Sequence, residues 1–134
     1  MEELRTTEGS RVAVREDGIL ETRDRQGRIL FEYDPATGRA AVYAPGDLRI
    51  RSGGCVEIDA EHGVKITTPG TFETNAGRVF EFATDAYCRV EKLLHVTAGR
   101  VRTQVEGAWL VQSDTARVQA EGDVKLQGET ILLG

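Results

Sequence analysis

The side chains able to do chemistry are few and scattered along the chain. His62 and His95 are the two histidines. Three inward imidazoles around a three-fold axis would make a metal site. His62 sits at a chain corner, and His95 lies between Leu94 and Val96, on the outward side of the alternation. Neither has a neighbouring ligand, so no metal is expected. Cys55 and Cys88 are too few and too far apart for a disulfide framework or a zinc ribbon, and read as two reduced thiols. Glu57 and Asp59 share an exposed face and pair with no second polar group, so they read as a solvated face and not as an acid/base couple. Gly54-Cys55-Val56 and Gly122-Asp123-Val124 resemble fragments of phosphate loops. A phosphate loop needs a following helix, and these read instead as a corner leading into a strand. No nucleophile elbow, Walker loop or dinucleotide fingerprint is present. Trp109 falls outside by parity, packed under a neighbouring loop in preference to anchoring a partner. Tyr87, Val90 and Leu94 read as core. The expectation is a protein without catalysis and without a cofactor.

Composition narrows the classes further. The chain has 134 residues, 40% of them apolar, with 15 Gly and 6% aromatics. That is one domain's length, with too few large side chains for a conventional thick core. Seventeen basic residues against 22 acidic ones give a net charge of −5. Excess carboxylate disfavours nucleic acid and anionic membranes. Met1-Glu2-Glu3-Leu4-Arg5 opens no apolar stretch, and no run approaches the roughly 18 residues of a membrane span. A cytoplasmic protein is expected, with no membrane insertion as synthesised.

What must position the side chains is a repeat. Positions 48/50, 56/58, 64/66, 72/74 and 80/82 read Leu48/Ile50, Val56/Ile58, Val64/Ile66, Phe72/Thr74 and Phe80/Phe82. Nine of these ten are apolar, where composition would supply about four. Arg49, Arg51, Glu57, Asp59, Lys65, Thr67, Glu73, Asn75 and Glu81 alternate with them, as on a strand with one face in and one out. Gly46, Gly54, Gly63, Gly70 and Gly77 fall between the pairs, so each octad is a very short strand plus a corner. A second run, Ala108/Leu110, Ala116/Val118, Val124/Leu126 and Leu132, is displaced by four residues from the first. An irregular or short helical segment is therefore expected near 83–107, where Ala83, Tyr87, Val90 and Leu94 have helical spacing while Cys88, Val90, Leu94 and Val96 keep strand parity. The first 45 residues differ. Val12/Val14 and Ile19 suggest short strands, and Arg28–Tyr33 with Arg39–Tyr43 flank a hairpin turn at Asp34-Pro35-Ala36-Thr37-Gly38. The expected division is a β-hairpin segment over 1–45, packing onto a β-helical shaft over 46–134.

Octads offering two inward side chains cannot close a core alone; they must stack and wrap. Either one chain coils with three octads per turn, or three chains intertwine. In the intertwined register Arg49–Glu57, Glu57–Lys65, Lys65–Glu73 and Arg51–Asp59 attract and Glu73–Glu81 repel. In the single-chain register Arg49–Glu73 attracts and Glu57–Glu81 repels. Such pairs contribute only about 0.2–1 kcal/mol each, so they lean toward the trimer without fixing the number of chains. Ile131-Leu132-Leu133-Gly134, an apolar strand without a polar cap, leans the same way, because a lone solenoid would expose it as an open edge. About 11 octads rising roughly 4.8 Å each would make a shaft on the order of 50 Å.

The octads resemble the triple-stranded β-helix of type VI secretion spikes (the valine-glycine-repeat protein G shaft) and of phage tail needles. The tail is more specific. Ala86-Tyr87-Cys88-Arg89-Val90-Glu91, Ala98 to Gly107 and Glu121 to Gly134 look like the C-terminal signature of an uncharacterised family encoded beside type VI secretion spike, PAAR-like tip and adaptor genes. This resemblance covers residues 80–134 strongly and 46–80 generically. Members of that family often open with a longer small-barrel module, where this chain has hairpins. The resemblance implies an all-β, homotrimeric, non-catalytic spike or adaptor of a contractile injection system, cytoplasmic or exported by that apparatus without a signal peptide. Its partners would be a PAAR-like tip protein, the secretion spike or an effector. The trimer core would be Leu48, Ile50, Val56, Ile58, Val64, Ile66, Phe72, Phe80, Phe82, Leu110, Val118, Val124 and Leu126. Ile131, Leu132, Leu133 and Gly134 would form the docking face for the tip or cargo. The alternative is a bactofilin-like solenoid scaffold that polymerises end to end.

Overall fold

A computed structural model describes residues 2–134. Its regular structure is all β: β1 Glu3–Arg5, β2 Arg11–Val14, β3 Leu20–Arg23, β4 Ile29–Asp34 and β5 Arg39–Val42. The strands form one five-stranded antiparallel sheet in the order β1-β2-β3-β4-β5, a meander in which each strand pairs with the next. No helix occurs among the described residues.

The meander is drawn by its turns. In the first three hairpins, Thr6, Arg15 and Asp24 each donate their N–H to the carbonyl four residues on, at 2.8–2.9 Å, and accept from a glycine three residues on, at 2.9–3.1 Å. Those glycines are Gly9, Gly18 and Gly27, with φ of 91°, 84° and 81°. A left-handed residue at this position closes a three-residue hairpin loop, and glycine adopts it without a Cβ clash. The turn therefore recurs every nine residues. The fourth hairpin, at Asp34–Gly38, is the one the sequence marks. There Gly38 N–H reaches Asp34 O at 2.8 Å, while the Asp34 carboxylate accepts from Ala36 N–H at 3.0 Å and the Thr37 hydroxyl at 3.1 Å. This side chain standing in for a backbone turn is a known use of Asp. Val12 and Val14 lie in β2 as expected, whereas Ile19 falls in the turn, its carbonyl closing the second hairpin.

Register separates the two faces of the sheet. Leu4, Val12, Thr22, Phe31 and Val42 stand in one cross-strand row, and Val14, Leu20, Tyr33 and Ala40 in the next. That face carries no charge. The reverse face holds Glu3, Ala13, Glu21, Glu32 and Ala41 in one row, beside Arg5, Arg11 and Arg23. A bulge between Thr22 and Arg23 shifts the β3–β4 register.

Beyond Val42 the chain has no strand partner, and every residue is exposed. The expected octad strands are therefore not paired within one chain: a ladder needs a neighbouring backbone, and none is supplied. The chain falls into two compact units, Met1–Thr74 and Asn75–Gly134. In the first, bends follow the sheet at 45/46, 53/54, 61/62 and 69/70, a step of eight. In the second, they fall at 77, 84, 91/92, 99, 106/107, 114/115, 121/122 and 129. Residues 83–107, where helix and strand both fit the sequence, are extended between such bends. From 70 to 122 the bends advance by a mixture of seven and eight residues. The four-residue displacement between the two apolar runs is spread over several corners instead of being gathered into one insertion.

Candidate assembly interface

The residues expected to form a shared core are brought together with nothing inside one chain. Leu48, Ile50, Val56, Ile58, Val64, Ile66 and Phe72 in the first unit are all exposed, as are Phe80, Phe82, Leu110, Val118, Val124 and Leu126 in the second. Phe82, at 91% exposure, and Leu110, at 83%, show how far this goes. Phe80 and Phe82 stack with centroids 6.3 Å apart, a contact between alternate residues of one extended segment. Ile131, Leu132, Leu133 and Gly134, the expected docking face, are exposed as well.

The backbone has the same character. Among the described residues, no backbone–backbone hydrogen bond involves a residue after Tyr43, whose N–H donates to Leu30 O at 2.8 Å. Two corners are braced locally, Gly54 N–H by Ser52 Oγ and Gly70 N–H by Thr68 Oγ1, each at 3.1 Å. Ser52-Gly53-Gly54 and Thr68-Pro69-Gly70 thus hold the bends with a hydroxyl two residues before a glycine. After Tyr43 the large apolar side chains are exposed and the main-chain donors are unpaired by other main chain within the described residues.

The sheet shows where charge is used. Glu21 is 6% exposed although it is a carboxylate on an open sheet. Arg23 binds it through Nε at 2.8 Å and Nη2 at 3.2 Å, and Arg15 approaches to 3.8 Å. The Arg23 hydrogen bonds, aided by the charges of Arg23, Arg15 and Arg11, hold the Glu21 carboxyl below its ordinary range despite its burial. Arg23 also donates to Gly27 O at 2.6 Å, tying this pair to the third turn. Arg5 pairs with Glu3, and Arg28 with Asp24 at 2.7 Å. Partial burial raises the Asp24 carboxyl, but the backbone and guanidinium of Arg28 bring it below normal. These are structural pairs, and the polar face covers itself.

The remaining candidates stay apart. His62 lies at the 61/62 bend, and His95 Nε2 is 2.7 Å from Thr97 Oγ1. Cys55 and Cys88 are free and exposed, and Trp109 is 72% exposed. Among the described residues, no three His, Cys, Asp or Glu side chains converge as metal ligands. Glu21 with its arginines, and the glycines at 9, 18 and 27, match no motif in the sequence; the nine-residue glycine spacing is the signal that marks the turns.

Fold and site together describe an all-β chain with a five-stranded N-terminal sheet followed by a long segment of bends without strand pairing. Within it, residues 70–134, just under half of the chain, match the family described as protein of unknown function (DUF3540). The matched span includes the Ala86–Glu91, Ala98–Gly107 and Glu121–Gly134 stretches. No curated protein and no solved structure matches the chain.

Proposed function

We propose that this chain is a non-catalytic structural component of a contractile injection system of the type VI secretion kind. Three copies intertwine over residues 46–134 into a β-helical shaft that serves as spike extension or adaptor. Ile131-Leu132-Leu133-Gly134 present a PAAR-like tip protein or effector cargo. The observation carrying this reading is the exposed, unpaired ribbon after Val42. Ordering a residue costs about 1–2 kcal/mol of backbone entropy. Within one chain, the ribbon offsets that cost with neither a ladder nor a buried core. Intertwined copies supply both, since the octad of one chain lies beside the next octad of another. The outward charges favour the same register, and the resemblance of the tail to a family encoded beside spike and tip genes supplies the setting.

Solution mass is the decisive measurement. Analytical ultracentrifugation at micromolar concentration is expected to give a discrete particle of three chains. A folded monomer would overturn the proposal, and filaments without a discrete trimer would replace it with the polymerising scaffold. For the role itself, the trimer should retain a PAAR-like protein or effector encoded beside it in co-purification. Changing Leu132 and Leu133 to Asp should release that partner while leaving the trimer's mass unchanged.

A further inference from the structure

The N-terminal sheet wears its faces inside out for an isolated domain. The two buried residues of the sheet, Ala13 and Glu21, each 6% exposed, lie on its charged face. Its uncharged face lies open, with Leu4 at 76%, Val14 at 47% and Val42 at 62%. A half-buried antiparallel sheet puts its apolar side against something. The hollow at the β1–β2 edge is lined by Leu4, Val12, Val14 and Leu20 of this side, together with Glu2, Glu3 and Ala13 at its rim. The occupant is indicated by continuity. Ala40 and Val42 stand on this face in β5. The chain then runs through Ala44 and Gly46 to Leu48 and Ile50, keeping the same even parity into the residues assigned to the shared core. Arg23 and Arg15 on the opposite face leave that side suited to water, with the Glu21 carboxylate already matched.

From this we infer that the uncharged face of the sheet packs against the same face of two further copies of this chain. The shaft's common core thus continues into the N-terminal region, and the arginine-bearing face is the outer wall. This rests on the trimeric reading above. It goes beyond that reading by replacing a sheet folded back onto the shaft with a sheet that is itself an interface.

The test uses the full-length chain with Cys55→Ser and Cys88→Ser, carrying either Val14→Cys on the uncharged face or Arg11→Cys on the charged one. Mass is measured first for both. In the assembled protein the Val14→Cys thiol should react with a maleimide at least about tenfold more slowly than the Arg11→Cys thiol, with equal rates after denaturation. A bis-maleimide should then join Val14→Cys chains covalently into dimers and trimers and leave Arg11→Cys chains single. Equal labelling rates in a protein of trimeric mass would overturn the inference and leave the shaft proposal standing. Slow labelling without cross-linking would also overturn it, since the face would then be covered by its own chain. A monomeric mass for the unmutated chain would instead remove the shaft proposal itself. If Val14→Cys alone loses trimeric mass, Val12→Thr, a near-isosteric polar change, should lower the trimer's melting temperature, whereas Arg39→Thr, at an exposed position of the charged face, should not; equal effects of the two overturn the inference.

Discussion

The sheet over residues 3–42 and the ribbon that follows are both built from short alternating stretches punctuated by glycine, yet they solve the backbone problem in opposite ways. In the sheet, each turn brings the chain back within one strand spacing of itself, so donors and acceptors meet locally. Positive φ at Gly9, Gly18, Gly27 and Gly38 makes those reversals. In the ribbon the bends at 53/54 or 69/70 redirect the chain without reversing it, so no ladder forms within the chain. Glycine spacing is similar in the two regions. The glycine's conformation decides whether the chain meets itself or must meet another. Four perturbations probe this contrast.

The largest effect is expected at Ile58→Asp. If three chains share one core, the change sets three carboxylates near a common axis, where burial and mutual repulsion each oppose charge. Three-chain particles should be lost entirely in sedimentation, with the chain recovered as monomer or aggregate. A trimer of unchanged heat stability would contradict the inward parity of Leu48, Ile50, Val56 and Ile58.

Next comes the sheet's dependence on left-handed turns. A Cβ at Gly18 meets no atom within 4 Å, so a substitution there tests backbone conformation and not space. Gly18→Val should destabilise the sheet by about 1–2 kcal/mol, and Gly18→Asn by clearly less, because Asn tolerates φ > 0. Hydrogen exchange at the β2 and β3 amides reads this directly. In the ribbon, Gly54→Ala should change little by the same measure, since Gly54 has no positive φ. Equal losses at the two sites would erase the distinction between reversing and redirecting corners.

The Glu21 pair gives the sheet a pH dependence of definite sign. The folded carboxyl lies below its ordinary value of 4.5, so the unfolded chain binds the proton more readily. Its contribution is complete above the unfolded value and fades as pH falls through the folded one. Thermal melts of the wild type should therefore lose stability below about pH 4.5. Glu21→Gln should start from a midpoint a few degrees lower at neutral pH and show a flatter acid limb. An unchanged acid limb would mean that other carboxylates govern the sheet's acid sensitivity.

The legibility of these features follows their range along the chain. The eight-residue step of the bends from 45/46 to 69/70 is legible because the glycines at 46, 54 and 70 and the apolar pairs from Leu48 to Ile66 keep one spacing over several repeats. The hairpin at Asp34–Gly38 could be read because Asp, Pro and Gly concentrate its turn chemistry in five residues. The other three turns were less visible, since Thr7-Glu8, Glu16-Asp17 and Arg25-Gln26 are ordinary surface residues and only the glycine spacing betrays them. Glu21 was hidden for a different reason. Its main partner, Arg23, lies two residues on along β3, but Arg11 on β2 and Arg15 in the following turn reach it only through the β2–β3 pairing, so its full setting depends on register. The mixed seven- and eight-residue steps also lay beneath the pattern, because a corner one residue shorter exchanges parity and looks like noise over a single repeat.

The smallest predicted effect bears on how many chains meet. In the proposed shaft Glu57 faces outward, and its neighbours depend on register. Intertwined chains would place Arg49 and Lys65 beside it, whereas a singly coiled chain would place Glu81 there. Glu57→Lys therefore turns two attractions into repulsions in one arrangement and relieves a repulsion in the other. Each pair contributes only about 0.2–1 kcal/mol, so the shift in melting temperature is a matter of degrees, but its sign differs between the arrangements. For the trimer, Glu57→Lys should lower the melting temperature at low salt, and the loss should shrink toward 1 M salt, where the screening length is about 3 Å. A rise in melting temperature would favour one chain coiling on itself, and would do so without disturbing a single residue of the apolar parity.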